Sequence, residues 1–563
     1  MSKPNNYQGE KILNNSQLRK IDGDFFGKIV ESGALNLKAN LQTVNDLNVF
    51  PIPDGDTGDN MYMTISGGVR SLKNAKTNSV SEKAKALADG MLLSARGNSG
   101  VILSQFFAGM ADGLQSYDEV TVKELGDAFK CGVCKAYKAV AKPVEGTMLT
   151  VVREATDFAC LKCSDNSTIG GFFDDYVAEM RASLDRTPTL LEVLREAGVT
   201  DSGGAGLVYI AEGMKAAVEG KEVVTGEEFS QNKADIDFSR FNENSKMEFG
   251  YCTEILLQLT RAKTNIEEFD LNALIDFLES IGDSVVAFLT GSVVKLHVHT
   301  LTPDKVLAYC LNYGEFLTLK VENMTLQHNG IEVKEEKRKP LKRAKIRLVT
   351  VATGKGLIDA FKELGADDVI DGGQGKNPSI ERFIESFDYL NADTVFVLPN
   401  NGNILLAAKQ AASIYDKSHI EVIETKNLGQ AYSVLSMLDY KDGDVSKIAK
   451  QMREDMQSVV TGMVTSSIRD ANIDGVQIEN GDFIGFCDKT MLSAGKDKVE
   501  VTLDLAQKLN ANEKAFIIAC FGGNITDKEK SDISSILTKT YQSAEYYSFD
   551  GGQEVYDVIL IME

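Results

Sequence analysis

The sequence predicts a multidomain protein with an all-helical first domain, a small α+β middle domain and an α/β last domain. Three observations predict it. Apolar residues recur three and four apart through most of residues 21–220, clearly so in 84–95, 122–141 and 190–197. After a polar stretch at 225–246, strand-like runs appear at 251–259, 284–289 and 293–300. Beyond Lys345, apolar strands (346–351, 394–398, 420–423) alternate with amphipathic helices (357–364, 404–415), the pattern of parallel α/β units. The expected boundaries are a helical domain over 1–222, a linker over 223–246, a middle domain over 247–332, a basic linker over 333–345 and an α/β domain over 346–563.

The 563 residues suffice for three or four domains at about 150 residues each. With 82 Asp and Glu against 60 Lys and Arg, the net charge of −22 repels phosphate backbones, which argues against nucleic-acid binding. No apolar run approaches the roughly 18 residues that span a bilayer, and residues 1–17 hold no apolar signal core, so no integral membrane segment and a cytoplasmic location are expected. Eight cysteines are too sparse for a disulfide scaffold. Cys131/Cys134 and Cys160/Cys163 form two CxxC pairs on predicted helices and read as incidental thiols. Seven Lys and Arg between Lys334 and Lys345 read as a solvated linker.

The helices of the first domain are interrupted by loops rich in Gly, Asp, Ser and Asn, where a helical domain holds ligands. The first runs Asn48-Val-Phe-Pro-Ile-Pro-Asp54-Gly-Asp56-Thr-Gly-Asp59-Asn60-Met61. An EF-hand starting at Asp54 fails, because its sixth position is Asp59 and its twelfth Ile65. Magnesium needs only one or two protein carboxylates plus substrate phosphates, which suits Asp54 and Asp56 around Gly55; alone, the loop reads equally as an acidic turn. The second, Ala95-Arg-Gly-Asn98-Ser99-Gly100, separates two predicted helices, so N–H groups at a helix start could receive phosphate oxygens. It lacks the Walker lysine, and a glycine-containing turn is the other reading.

Taken in order, Pro53-Asp54-Gly-Asp56-Thr-Gly58 with Asn60-Met61, then Ala95 to Gly100, then Lys142-Pro-Val-Glu-Gly-Thr147-Met148, Arg186-Thr-Pro and Gly198-Val-Thr-Asp201-Ser-Gly203-Gly204 resemble the nucleotide-binding domain of dihydroxyacetone-kinase-like proteins. The form with GDTG, over nearly the whole chain, resembles the ATP-binding subunit of bacterial fatty acid kinase. The resemblance implies a helical barrel holding ATP and two Mg²⁺ ions. It implies metal-binding roles for Asp54 and Asp56, with Asn48 the nearest candidate for a third ligand. Asn60, Met61, Asn98, Ser99, Gly100, Thr147, Met148, Asp201 and Gly203 fall at nucleotide-binding positions, and Arg186 is the candidate cationic group for the transition state. Asp59 stands where the family usually has Thr.

The implied reaction is ATP-dependent phosphorylation of a fatty acid carboxylate, presented by a separate fatty-acid-binding protein, to give an acyl phosphate for phospholipid synthesis. A carboxylate is already ionised at neutral pH, so no general base is required. The other readings are one component of a dihydroxyacetone-type small-molecule kinase, or a non-catalytic nucleotide-sensing scaffold. Homodimerisation is expected from the family.

Three of the four histidines, His297, His299 and His328, fall in the middle domain. His297 and His299 share a strand face while Val294, Leu296 and Val298 take the other. With Cys252 on the preceding strand and His328 or Glu254 as a fourth ligand they form a candidate structural Zn²⁺ site; a surface His-x-His pair is the other reading. In the last domain, Gly354-Lys-Gly356 reads as a plain βα turn, and Asp-Gly-Gly-Gln occurs at both Asp371–Gln374 and Asp550–Gln553. The domain resembles the fatty-acid-carrier proteins of the same system.

Overall fold

The computed structural model describes residues 17–48, 55–140, 142–164, 166–221, 251–266, 269–290, 292–323, 338–437, 443–467, 470–473, 475–488 and 490–563. The chain forms two compact units, one of residues 1–226 with 340–563 and the other of residues 227–339.

The first part of the larger unit is helical: α1 (Gly23–Ala39), α2 (Leu41–Leu47), α3 (Thr57–Asn74), α4 (Val80–Ser94), α5 (Gly97–Gly113), α6 (Val122–Ala139), α7 (Met148–Lys162), α8 (Ile169–Leu190), α9 (Glu192–Ala197) and α10 (Ser202–Val218). Local chemistry sets the starts. Asp22 caps α1 by accepting from Phe25 N at 2.8 Å, and Thr121 with Glu124 forms a reciprocal capping box on α6. A short antiparallel pair, Lys20–Asp22 with Glu119–Thr121, ties the entries of α1 and α6 together. α8 ends two residues after Pro188, which donates no backbone bond.

The second part of the larger unit is α/β. Its first sheet is parallel, in the order His419–Val422, Ala392–Leu398, Ala344–Ala352, Asp368–Asp371. The three strands read as parallel units all lie in this sheet, and the second sheet, built from strands beyond Val459, is mixed. In the order Thr490–Gly495, Phe483–Cys487, Val460–Ser466, Val558–Met562, Phe516–Phe521, Glu545–Asp550, only the last pair is parallel. Apolar runs report burial, not strand direction, and the connection between Cys487 and Thr490 is short enough for an antiparallel hairpin. The Gly354-Lys-Gly356 turn and the second Asp-Gly-Gly-Gln meet here: Leu357 N donates to Gly551 O at 3.0 Å, and a Cβ on Gly356 would fall 1.7 Å from Asp550 O, so no side chain fits.

The smaller unit is an antiparallel sheet in the order Gly282–Thr290, Val293–Thr300, Tyr251–Leu259, Gly314–Asn323, with helices Leu271–Ile281 and Pro303–Cys310. Ile255, Leu257, Leu274, Val294, Leu296 and Val298 are in its core.

The two parts of the larger unit share a hydrophobic seam. Ala95 and Val101, flanking the α4–α5 turn, belong to the same buried cluster as Val351, Ile380, Phe383 and Ile404 of the α/β part. Ile380 N donates to Ala95 O at 3.2 Å across it.

Candidate functional site

At this seam lies a cavity of about 510 Å³. Its lining is polar at Asn48, Asp56, Asn60, Asn98, Ser99 and Asp201 and apolar at Ile102, Val140, Val144, Leu149, Leu405 and Leu406.

Asp56 immediately precedes α3 and is 6% exposed. Burial pushes its carboxyl up to about 6, reinforced by the nearby Asp59 charge and opposed by hydrogen bonds, foremost that from Asn60. Asp59 is tied away from the cavity: Asn45 Nδ2 donates to it at 2.7 Å, while Asn45 Oδ1 accepts from Gly58 N at 2.8 Å and Asp59 N at 3.3 Å. Asn45 thus clamps the start of α3. Asn48, which ends α2, accepts from Gly55 N at 3.2 Å and lines the cavity.

Gly97 opens α5 with φ +56, and a Cβ there would fall 2.7 Å from Asn60 Nδ2, so the turn must be glycine to let α5 start against α3. The first N–H groups of α5 have no helical acceptor, and Asn98 and Ser99 of that turn line the cavity. Thr147 stands at the N-cap position of α7 without a side-chain capping bond, and Asp201 caps α10. Asp201 accepts from Gly204 N at 2.7 Å. Burial pushes its carboxyl up to about 6, opposed by the N–H groups of Gly204 and Met148, so one side chain ties the starts of two helices.

Asn48, Asp56, Asn60, Asn98, Ser99, Thr147, Met148, Asp201 and Gly203 therefore come together around one cavity. Three expected residues do not line it. Met61 is buried in the core, its sulfur 2.6 Å from where a Cβ on Gly206 would stand. Gly100 is buried against Thr64. Arg186 points elsewhere and pairs with Glu154 at 2.6 Å and Glu179 at 2.5 Å. Asp54 and His328 lie outside the described residues, as do the side chains of Cys252, His297 and His299. The backbone register sets Cys252 opposite His299 and Glu254 opposite His297. Among the described residues no group of three or more His, Cys, Asp or Glu could hold a metal ion.

The sequence reading missed the other wall. Gly402, Asn403, Leu405, Leu406 and Lys409, on the α/β helix Gly402–Ile414, line the same cavity, as does Lys142. Asn403 Oδ1 accepts from Asn98 Nδ2 at 3.1 Å, and Asn377 Nδ2 donates to Asp56 Oδ2 at 2.6 Å. A second cavity of about 730 Å³ in the α/β part, lined by Val351, Gln374, Met463, Tyr556 and Ile559 among others, reaches the same Asn48 and Asn403.

Comparison with known proteins agrees with this division. A family model described as DAK2 domain matches residues 51–216. Two models of the FakA-like fatty acid kinase family match residues 248–331 (middle domain) and 347–563 (C-terminal). The chain is 36% identical to protein YloV of Bacillus subtilis over 557 residues, 97% of this chain and 100% of that protein. The chain belongs to the FakA-like fatty acid kinase family. An uncharacterized Staphylococcus aureus protein (strain USA300) is 35% identical over 554 residues, again 97% of this chain and 100% of the relative. Among solved structures, the fatty acid binding protein DegV from Bacillus subtilis aligns with 39% of this chain and 99% of its own at 13% identity and a TM-score of 0.31. The dihydroxyacetone kinase from C. freundii in complex with AMP-PNP and Mg²⁺ aligns with 38% of each chain at 16% identity and a TM-score of 0.28. Neither likeness carries a functional argument. This FakA-like chain thus has a kinase-type helical part and an α/β part, and among its described residues no helix is long and apolar enough to cross a membrane.

Proposed function

We propose that the protein is the ATP-binding subunit of a fatty acid kinase, phosphorylating a fatty acid carboxylate that a separate fatty-acid-binding protein presents, to give an acyl phosphate for phospholipid synthesis. The observation that carries this reading is the single cavity joining Asp56, the start of α5 and the caps of α7 and α10. Its apolar lining suits a purine, and its polar residues suit phosphates at the free N–H groups of α5.

The donors around Asp56 are oxygens and amides, with no thiolate or imidazole among the described lining residues, a set that suits Mg²⁺. Asp56 and Asn48, with Asp54 beside them in sequence, would hold the metal. When bound, Mg²⁺ neutralises charge on the migrating phosphoryl group. In the reaction a carboxylate oxygen forms a bond to the γ-phosphorus and the bond between that phosphorus and the β,γ-bridging oxygen breaks, so ADP leaves and no proton moves. The α5 turn positions the phosphates, the Asp201 cap holds the α7 and α10 starts in place, and Lys142 adds a cation to the wall.

The reading extends to domain limits near 1–222, 247–332 and 346–563, a structural Zn²⁺ at Cys252, His297, His299 and His328 in the middle domain, a homodimer and a cytoplasmic location. The test is hydroxylamine trapping of acyl phosphate from ATP, Mg²⁺ and an oleate-loaded carrier protein. Product that vanishes in both Asp54→Ala and Asp56→Ala supports the reading; no product from a carrier known to be loaded, despite measurable ATP binding, rejects it.

A further inference from the structure

Asp56 and Asn377 are 321 residues apart in sequence, yet their side chains meet in a buried bond at 2.6 Å. Asn377 is 4% exposed. It sits on the loop leading into helix Ile380–Leu390, fixed by Pro378 behind it and by Ser379, which caps that helix. Its amide nitrogen is also 3.3 Å from where a Cβ on Gly97 would stand, so it fills the notch between the α3 and α5 starts. The other half of the amide is unsatisfied: Asn377 Oδ1 is buried with no hydrogen-bond partner. A buried acceptor without a donor is an exception in a folded protein. Here it stands one bond from the carboxylate that the proposed function gives to Mg²⁺, and a water carried by that hydrated cation is a donor of the right chemistry for it.

We propose that Asn377, supplied by the α/β part, is a positioning residue of the kinase site, its amide orienting the Asp56 carboxylate and favouring a hydrated Mg²⁺ there. This rests on the Mg²⁺-nucleotide reading of the cavity. It makes the α/β part a wall of the site rather than a plug in it, because the cavity stays open at about 510 Å³ with that part docked. The Asn98–Asn403 bond and the Ala95–Ile380 bond hold the two parts in register so that the amide reaches Asp56.

The test measures, in the full chain, the Mg²⁺ concentration that half-saturates binding of a non-hydrolysable ATP analogue. Asn377→Ala removes the donor to the carboxylate and should raise that concentration about tenfold. Asn377→Asp keeps the shape but sets a second carboxylate beside Asp56, so it should lower the concentration several-fold. A merely structural role would move both variants the same way. Lys376→Ala, which removes only the exposed pair with Asp371 on the same loop, should stay within twofold, and melting midpoints in EDTA check that each variant folds. Shifts of the same sign in the two Asn377 variants, or none, overturn the proposal while leaving the kinase reading intact. A wild-type chain whose nucleotide binding ignores Mg²⁺ overturns both.

Discussion

The two ends of the helical part are built in opposite ways. Towards one end, Phe106, Phe107, Phe129, Phe172, Phe173 and Tyr176 form a continuous ring cluster, Phe129 meeting four of them edge to face with centroids 5.0–6.4 Å apart. Towards the other, helices α3, α5, α7 and α10 start at Asp56, Gly97, Thr147 and Asp201 around a cavity, α5 being the one of these that also carries rings of the cluster. The apolar end supplies packing that holds the helices at fixed distances. The polar end can then keep two carboxyls in a buried, unfavourable setting, each pushed up to about 6. A cavity with buried carboxyls is thus carried by a scaffold that does not depend on it for cohesion.

Variants of the two ends separate these roles. Phe129→Ala opens a void inside the ring cluster and should cost about 3–5 kcal/mol in urea unfolding, with Mg²⁺-nucleotide affinity unchanged while the protein is folded. Asp56→Ala should do the reverse, lowering acyl phosphate formation by about 10²-fold or more without reducing stability in EDTA. A third variant sharpens the contrast by pH. Because the folded pKa of Asp56 is raised, the metal-free protein binds that proton more tightly than the unfolded chain does. Its contribution is present in full below the ordinary carboxylate range and is lost as pH rises through about 6. Between pH 5 and pH 7 in EDTA, the wild type should therefore lose stability relative to Asp56→Asn by on the order of 1 kcal/mol, and added Mg²⁺, which favours the ionised form, should offset the loss at pH 7. The smallest effect belongs to the α6 cap: Thr121→Ala should cost about 1 kcal/mol in the same unfolding assay.

Much of the polar end was legible through the family resemblance, which short local motifs carry. Asp56 and Asn60, Asn98 and Ser99, Thr147 and Met148, and Asp201 and Gly203 each occupy one helix start, and helix starts announce themselves by Gly, Asp, Ser and Thr. Met61 belongs to one of these stretches but falls on the buried face of α3, and Arg186, near the end of α8, pairs with Glu154 and Glu179. Spacing along a motif does not tell which way a helical side chain faces. The α/β wall was not legible as part of this site. Asn377 and Asn403 carry no motif, and their partners Asp56 and Asn98 are hundreds of residues away, so only the folded seam brings them together. The strand directions of the second sheet were not read for a related reason, since strand direction is a property of pairing and leaves no mark on the apolar pattern of a single strand.

Photolabelling with 8-azido-ATP and Mg²⁺, followed by peptide mapping of the full chain, tests most directly whether the cavity at the seam is the nucleotide site. The account predicts label on peptides spanning residues 139–149 and 402–409, the stretches that carry most of the apolar lining, with competition by unlabelled ATP. Label confined to the middle unit, or to the α/β part away from the helix Gly402–Ile414, would contradict it.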